Sequence, residues 1–265
     1  MKIYVPCDAA ALGVGAETTA QAITAEAKRR DIEITLIRNG SRGLLWLEPL
    51  VEVEVAGTRI AYGPVQAQDV PGLFDADFTA GKPHALRHGA TEEIPYFKRQ
   101  QRLTFARVGL TDPRSLTDYI EHGGFRGLRA ALALSPTEIV ASVTASGLRG
   151  RGGAAFPAGI KWKTVLGAQA AQKYIVCNAD EGDSGTFSDR MLMEGDPFVL
   201  IEGMTIAGVA TGATRGYIYL RWKYPQAKIA LEAAIAAAYA AHYLGEGVLG
   251  SDKRFDLEVR MGAGA

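Results

Sequence analysis

The 265-residue sequence is poor in cysteine, with only Cys7 and Cys177. Two thiols so far apart cannot build the disulfide framework of a small secreted fold, and they are too few for an all-cysteine cluster or structural zinc site. An excess of charge of either sign is also missing, because Lys+Arg and Asp+Glu are both 29. A neutral chain lacks the electrostatic footprint of a nucleic-acid or anionic-membrane binder. Long apolar runs are absent as well. Ile229–Ala241 is Ala-rich, carries Glu232 and is too short to span a bilayer. The opening Met1-Lys2-Ile3-Tyr4-Val5-Pro6 reaches a proline before the apolar region of a signal peptide could form. No nucleic acid, no membrane insertion and a cytoplasmic location are therefore expected.

Hydrophobic residues make up 48% of the chain, enough for a substantial core. Residues 1–76 read as a small β-α-β-β-β-α unit: a strand at Lys2–Pro6, a helix at Thr18–Arg30 and an alternating strand at Ile32–Arg38. A hairpin follows, Val51–Val55 and Arg59–Tyr62 around Ala56-Gly57-Thr58, and a last helix opens at Asp69–Phe74. This order is compatible with a thioredoxin-like fold. Residues 77–104 show no period and read as a linker. From 105 to 265 strands and helices alternate, which implies a mainly parallel α/β sheet. A capping box, Ser135-Pro136-Thr137-Glu138, starts a helix that stops at Gly147. Lys173–Asn178 is expected as a buried strand, followed by a helix at Pro197–Thr211, a strand at Gly216–Arg221, a helix at Pro225–Tyr243 and a strand at Phe255–Met261.

Glycine is abundant, and eight glycines fall between Gly147 and Gly185. The run Gly147-Leu-Arg149-Gly150-Arg151-Gly152-Gly153 leads through Phe156-Pro157 to Lys161-Trp162-Lys163. Its glycines let backbone N–H groups close on an anion, its four cations add charge, and Pro157 can start a helix whose positive end faces the loop. A phosphate is the natural guest, with a solvated hinge as the bland alternative. Gly150-Arg-Gly152-Gly-Ala-Ala155 spells a Rossmann turn but follows a helix where that turn follows a strand. Gly153 to Lys161 departs from a P-loop in its spacing and has Trp162 where a hydroxyl should hold magnesium.

The second motif leaves the strand ending at Cys177: Asn178-Ala-Asp180-Glu181-Gly-Asp183-Ser-Gly185. Ligands of open α/β sheets sit at the carboxyl ends of strands. Acids and an Asn placed there can accept hydrogen bonds from ribose or ribityl hydroxyls, hold magnesium, or simply form a solvated turn. Cys177, inside the strand, reads as an inert core residue.

These two motifs, with Asp189-Arg190 and Leu200-Ile-Glu-Gly-Met204, resemble the FMN-binding NADH dehydrogenase subunit of respiratory complex I and its relatives, over about residues 105–265. The resemblance implies an N-terminal thioredoxin-like domain followed by a mainly parallel α/β FMN-binding domain. It implies FMN held by Gly150, Arg151, Gly152, Lys161, Asn178, Asp180 and Glu181, and NAD(H) by Phe156, Lys161 and Asp183. Asp183 stands where the family usually has Glu, and Thr164 where it often has an adenine-stacking Phe. Hydride transfer needs no catalytic side chain, and no metal ligand is expected among these residues.

The N-terminal unit, with Asn39-Gly-Ser-Arg-Gly43, Trp46-Leu-Glu-Pro-Leu50 and Tyr62-Gly-Pro64, resembles that of the β subunit of molybdenum, NAD-dependent formate dehydrogenases. The unit is similar to thioredoxin-like [2Fe–2S] ferredoxins, with Cys7 left from the first cysteine pair and Leu12, Asn39 and Gly43 at the other places. The resemblance implies a docking domain without a cluster. It also implies a complex with a molybdenum-containing catalytic subunit and a small [2Fe–2S] subunit. The diaphorase subunit of NAD-reducing hydrogenases and the NADH-oxidising subunit of complex I share the FMN motifs. In the family the residues after the last strand close over flavin and nicotinamide, and a [4Fe–4S] domain lies further on. A chain stopping at Ala265 is expected to bind FMN poorly.

Overall fold

The structure is a computed structural model that describes residues 1–263. The small-residue end of the chain at Gly264 and Ala265 lies outside the described residues. The chain divides into two compact units, residues 1–113 with 194–196, and residues 114–193 with the remainder from 197.

The first unit opens with β1 (Lys2–Tyr4), α1 (Ala9–Gly13), α2 (Ala16–Arg29) and β2 (Thr35–Ile37). It continues with β3 (Val51–Val55), β4 (Thr58–Tyr62), α3 (Val70–Asp75), β5 (Arg87–Ala90) and α4 (Pro95–Lys98). The sheet order is β2-β1-β3-β4-β5, with β1 and β2 parallel and the other neighbours antiparallel. A parallel β1-β2 pair joined through α2, then a hairpin leading into a helix, is the thioredoxin-like arrangement. The hairpin turn holds because Ala56 and Gly57 both take positive φ, 48° and 76°, as a two-residue turn requires. Buried residues of α2 (Ala16, Ala20, Ile23 and Ala27) recur at helical spacing and pack with Ile3, Val51 and Val53.

Residues 77–104, expected as a linker, belong to this unit. They supply β5 to the sheet, Phe78 to the main core, and Ile94 and Phe97 to a second apolar cluster with Leu44, Leu47 and Leu50. The stretch crosses several short elements in turn, so no single period marks it. Residues 105–113 also stay with the first unit. Gly109 O accepts from Asn39 Nδ2 at 2.8 Å and Arg59 Nη1 at 2.7 Å, and Arg59 also donates to Leu110 O.

Charge is buried in this unit. Arg42 and Glu52 are 2% and 1% exposed and pair at 3.1 Å. Glu48 accepts from Ser41 Oγ at 2.6 Å and Leu50 N at 2.9 Å. Asp8 caps α1 and accepts from Ser41 N at 2.5 Å. Cys7 is half-buried, its backbone N–H donates to Asn39 O at 2.9 Å, and its thiol donates to Arg38 O at 3.6 Å.

The second unit opens with α5 (Leu116–Glu121), α6 (Arg126–Leu132), α7 (Pro136–Ala145) and α8 (Ala158–Gly167). Then come β6 (Tyr174–Ala179), α9 (Ser188–Gly195), α10 (Pro197–Thr211), β7 (Arg215–Leu220), α11 (Pro225–Ala240), β8 (Gly245–Glu246) and β9 (Arg254–Met261). The sheet order is β6-β7-β9-β8. β6, β7 and β9 run parallel and only the short β8 is antiparallel. The capping box of α7 forms, with Ser135 accepting from Glu138 N and the Glu138 carboxylate returning to Ser135 N. α10 is apolar nearly all round and accordingly buried. Its one carboxylate, Glu202, accepts from Tyr119 Oη at 2.5 Å, Phe125 N at 2.8 Å and Leu128 N at 2.9 Å. It thereby ties α5 and the start of α6 to α10, where a helix N-terminus favours negative charge.

β6 differs from expectation. It lies at the edge of the sheet, and Tyr174 and Val176 are 52% and 64% exposed. Only the alternate residues, Ile175, Cys177 and Ala179, face the core. Its apolar letters read as a buried strand because both faces carry large side chains; position at the sheet edge is a tertiary property.

Candidate functional site

The glycine loop joins α7 to α8. Gly147, at φ +67°, ends α7 in the left-handed conformation that suits glycine. The arms of the loop then pair, Gly150 N to Phe156 O at 2.9 Å and Ala158 N to Leu148 O at 2.8 Å. Arg149 donates to Ala155 O at 3.2 Å and Arg151 to Arg149 O at 2.8 Å, so both side chains brace the loop. Among the described residues, none pairs with the amides of Arg151, Gly152, Gly153 or Ala154 at its tip. A side chain on Gly152 or Gly153 would meet nothing within 4 Å. These glycines therefore serve neither packing nor internal hydrogen bonding, and their donors are available to a ligand.

Gly159, one turn on, has the opposite reason for being glycine. A β-carbon there would come within 2.6 Å of Thr144 Cα, so its absence lets α8 lie against α7. Pro157 stands at the N-cap, one place before the helical position expected for it. Lys161 and Lys163 are exposed on the first turns of α8, with Phe156 half-exposed before it. The far end of α8 is fixed by Lys173, whose ammonium donates to Leu166 O at 3.0 Å and Thr211 O at 3.1 Å. One cation thus satisfies the C-terminal carbonyls of both α8 and α10 at the start of β6.

The acidic loop starts where β6 ends, at the carboxyl end of the parallel strands. Asn178 is exposed, and its Oδ1 accepts from Asp180 N at 3.1 Å, which turns the chain out of β6. Asp180 is half-buried and Asp183 exposed. Glu181 departs from its expected role. Its Oε1 accepts from Ser188 Oγ at 3.3 Å and Asp189 N at 2.8 Å, and its Oε2 from Arg190 N at 3.1 Å and Tyr224 Oη at 3.0 Å. A carboxylate has about four lone-pair sites, and here all are engaged in capping α9 and meeting Tyr224. Arg221, at the end of β7, donates to Glu181 O. Arg190 and Arg221 lie over the Tyr224 ring, 5.8 and 5.7 Å from its centroid. Burial, followed by its hydrogen bond to the Glu181 carboxylate, pushes the Tyr224 phenol up to about 12, so it remains a donor at neutral pH. Burial likewise pushes the Cys177 thiol up to about 11 and keeps it inert.

Among the described residues no hydrogen bond joins the glycine loop to the acidic loop. The structure does bring Glu181 together with Ser188, Arg190, Arg221 and Tyr224, and sequence reading missed Arg221 and Tyr224. The signal available was Arg221-Trp222-Lys223-Tyr224, a cationic and aromatic run at the carboxyl end of the strand next to β6. A phosphate-bearing cofactor fits the unpaired loop amides and four neighbouring cations. Its hydroxyls fit Asn178 and Asp180. Glu181 does not fit as a ligand, because its acceptors are taken.

Residues 143–265 match the family model described as the Nuo51 FMN-binding domain. The NADP-reducing hydrogenase subunit HndC of Solidesulfovibrio fructosivorans is 51% identical over 63% of this chain and 34% of its own length. An NADH-quinone oxidoreductase subunit of Rhizobium meliloti (strain 1021) is 48% identical over 60% of this chain and 38% of its own. The chain thus spans between a third and two fifths of these relatives. A solved NAD+-reducing [NiFe]-hydrogenase aligns over 100% of this chain and 43% of its own, at 24% identity and a TM-score of 0.46. Among the described residues no helix is long and apolar enough to cross a membrane.

Proposed function

We propose that the chain is a flavoprotein electron-transfer module that moves hydride between NAD(H) and FMN and serves a larger complex of iron–sulfur subunits. The observation that carries this reading is the open glycine loop, with unpaired amides and Arg149, Arg151, Lys161 and Lys163 around it. Arg151, Gly152 and Lys161 hold the flavin phosphate, with the unpaired amides of Arg151 and Gly152 as preorganised donors, while Gly150, whose own amide pairs with Phe156 O, lets the backbone approach the flavin closely. Asn178 and Asp180 accept from ribityl hydroxyls. Phe156, already half-exposed, offers its ring to the adenine of NAD(H), and Asp183 accepts from the adenosine ribose. Bound FMN supplies the conversion between hydride and single electrons. The protein's part is to hold the two cofactors in register and keep water away, without an acid, base or nucleophile of its own.

The complex is read as an NAD-dependent formate dehydrogenase, with a molybdenum-containing catalytic subunit and a small [2Fe–2S] subunit as partners. The form of the N-terminal unit supports this. The first unit acts as a docking domain without a cluster, Asn39 standing beside Cys7 where a second thiolate would be needed. A second reading, the diaphorase subunit of a hydrogenase, is favoured by the likeness to the HndC hydrogenase subunit. Purification from cells that also express the neighbouring genes tests both. Flavin absorbance with formate-dependent reduction of NAD+ is expected. Hydrogen-dependent reduction without formate activity would move the chain to the second reading, and a purified complex that reduces NAD+ with neither donor would end both.

A further inference from the structure

The residues Glu181, Tyr224 and Arg221 stand at the carboxyl ends of two adjacent parallel strands. β6 delivers Glu181 and β7 delivers Arg221 and Tyr224, and the two strands pair through Ala179↔Leu220 just before both loops begin. The loop after β6 runs from Asp180 to Phe187, and α9 begins at Ser188. Left to itself such a loop samples many conformations, and ordering it costs conformational entropy at the moment of binding. Here it is closed at both ends by one side chain. Glu181, at the start, accepts the amides of Asp189 and Arg190 at the finish, at 2.8 and 3.1 Å. The Tyr224 hydroxyl reaches the same carboxylate at 3.0 Å and Thr186 O at 3.4 Å, so the next strand's loop holds the closure from outside. Arg221 holds the backbone carbonyl of Glu181 itself. Asp180 precedes the closure and Asp183 lies within it, and neither side chain is needed for it.

We propose that Glu181, Tyr224 and Arg221 are positioning residues that clamp the 180–190 loop in its binding shape, and that Glu181 itself does not touch the flavin. This rests on the FMN and NAD(H) reading above. It divides the acidic motif by job: Asn178, Asp180 and Asp183 face ligands, and Glu181 sets where they stand. In this division the clamp is made entirely by the chain's own groups, and Tyr224 matters only through Glu181.

A double-mutant cycle in the intact protein separates a clamp from a ligand, with FMN as the probe and its fluorescence quenching as the readout. Glu181→Ala and Tyr224→Phe are each expected to weaken FMN binding, by about tenfold or more for the first, which removes all four bonds of the closure, and by about threefold for the second, the effect of one ordinary hydrogen bond acting at a distance from the ligand. The double variant is expected to bind no worse than Glu181→Ala alone, because both act through one interaction. Amide exchange of Asp189 and Arg190, measured without flavin, is expected to be slow in the wild type and faster in both variants. Additive losses in FMN affinity, with exchange at 189 and 190 unchanged, would show Glu181 to be a direct ligand and overturn the clamp. Wild-type affinity in Glu181→Ala would also overturn it. A wild type that takes up no FMN although its 189 and 190 amides are protected would instead sink the functional reading on which the proposal rests.

Discussion

In the first unit Arg42 and Glu52 are 2% and 1% exposed and paired at 3.1 Å, whereas in the second unit Arg151, Lys161 and Asp183 stand in the open. Both regions are rich in charge, yet the chemistry available to each differs. The buried charges, with Glu48, Asp8 and Ser41 beside them, spend their hydrogen-bonding capacity on one another. The exposed ones leave most of theirs to a partner, Arg151 spending one donor on Arg149 O. Charge that is satisfied internally specifies structure, and charge held unsatisfied on a rigid scaffold is what binding requires. Glu181 shows that the division runs residue by residue, since it belongs by sequence to the exposed motif and by its bonds to the internal kind.

The largest effect expected is on the buried side of this contrast. Arg42→Ala leaves Glu52 with Arg59 alone, at 3.6 Å, and is expected to cost about 3–5 kcal/mol of stability. Amide exchange at Ile3 and Val53 in the intact chain measures it, and a loss below about 1 kcal/mol would make the pair ornamental. Arg42→Met with Glu52→Leu removes both charges together and is expected to cost far less.

Glu48 sharpens the comparison through pH. Desolvation pushes its carboxyl from 4.5 up to about 7. The unfolded chain releases this proton near 4.5 and the folded chain only near 7, so over that window the folded state binds more protons. Its contribution is therefore fully present below about pH 4.5 and is lost as pH rises to about 7, an effect of about 3 kcal/mol. Glu48→Gln is expected to flatten this part of the stability–pH curve. An unchanged slope in that variant would assign the dependence elsewhere.

On the exposed side the contrast predicts large effects on binding and small ones on stability. Lys161→Ala is expected to weaken FMN retention or NADH affinity by at least about tenfold, in line with the roughly 1.5–3 kcal/mol of a charge-assisted phosphate contact. Its thermal midpoint should hardly move. Unchanged flavin content together with an unchanged Michaelis constant for NADH would remove Lys161 from the site.

The smallest effects concern nucleotide choice. An ionised Asp183 repels a 2′-phosphate, so NAD(H) is expected to be preferred, and Asp183→Ala should relax the preference. Equal use of NADPH by the wild type would contradict this. Thr164→Phe is expected to tighten NADH binding by about 0.5–1.5 kcal/mol if the ring stacks on adenine; weaker binding in that variant would place the adenine elsewhere.

Local chemistry fixed those features that could be read along the chain. The capping box at Ser135, the glycine stop at Gly147, the Ala56-Gly57 turn and the bounds of α10 follow from neighbours a few residues apart. The glycine loop was legible for the same reason, since backbone donors in a run of glycines need no distant partner to be recognised. Tertiary structure decided what depends on residues far apart in the chain. It made β6 an edge strand and drew residues 77–113 into the first unit through β5 and the bonds to Gly109 and Leu110. It also turned Glu181 from a candidate ligand into the closure of its own loop. That last assignment hangs on Tyr224, 43 residues later in the sequence, which only the pairing of two parallel strands brings to hydrogen-bonding distance.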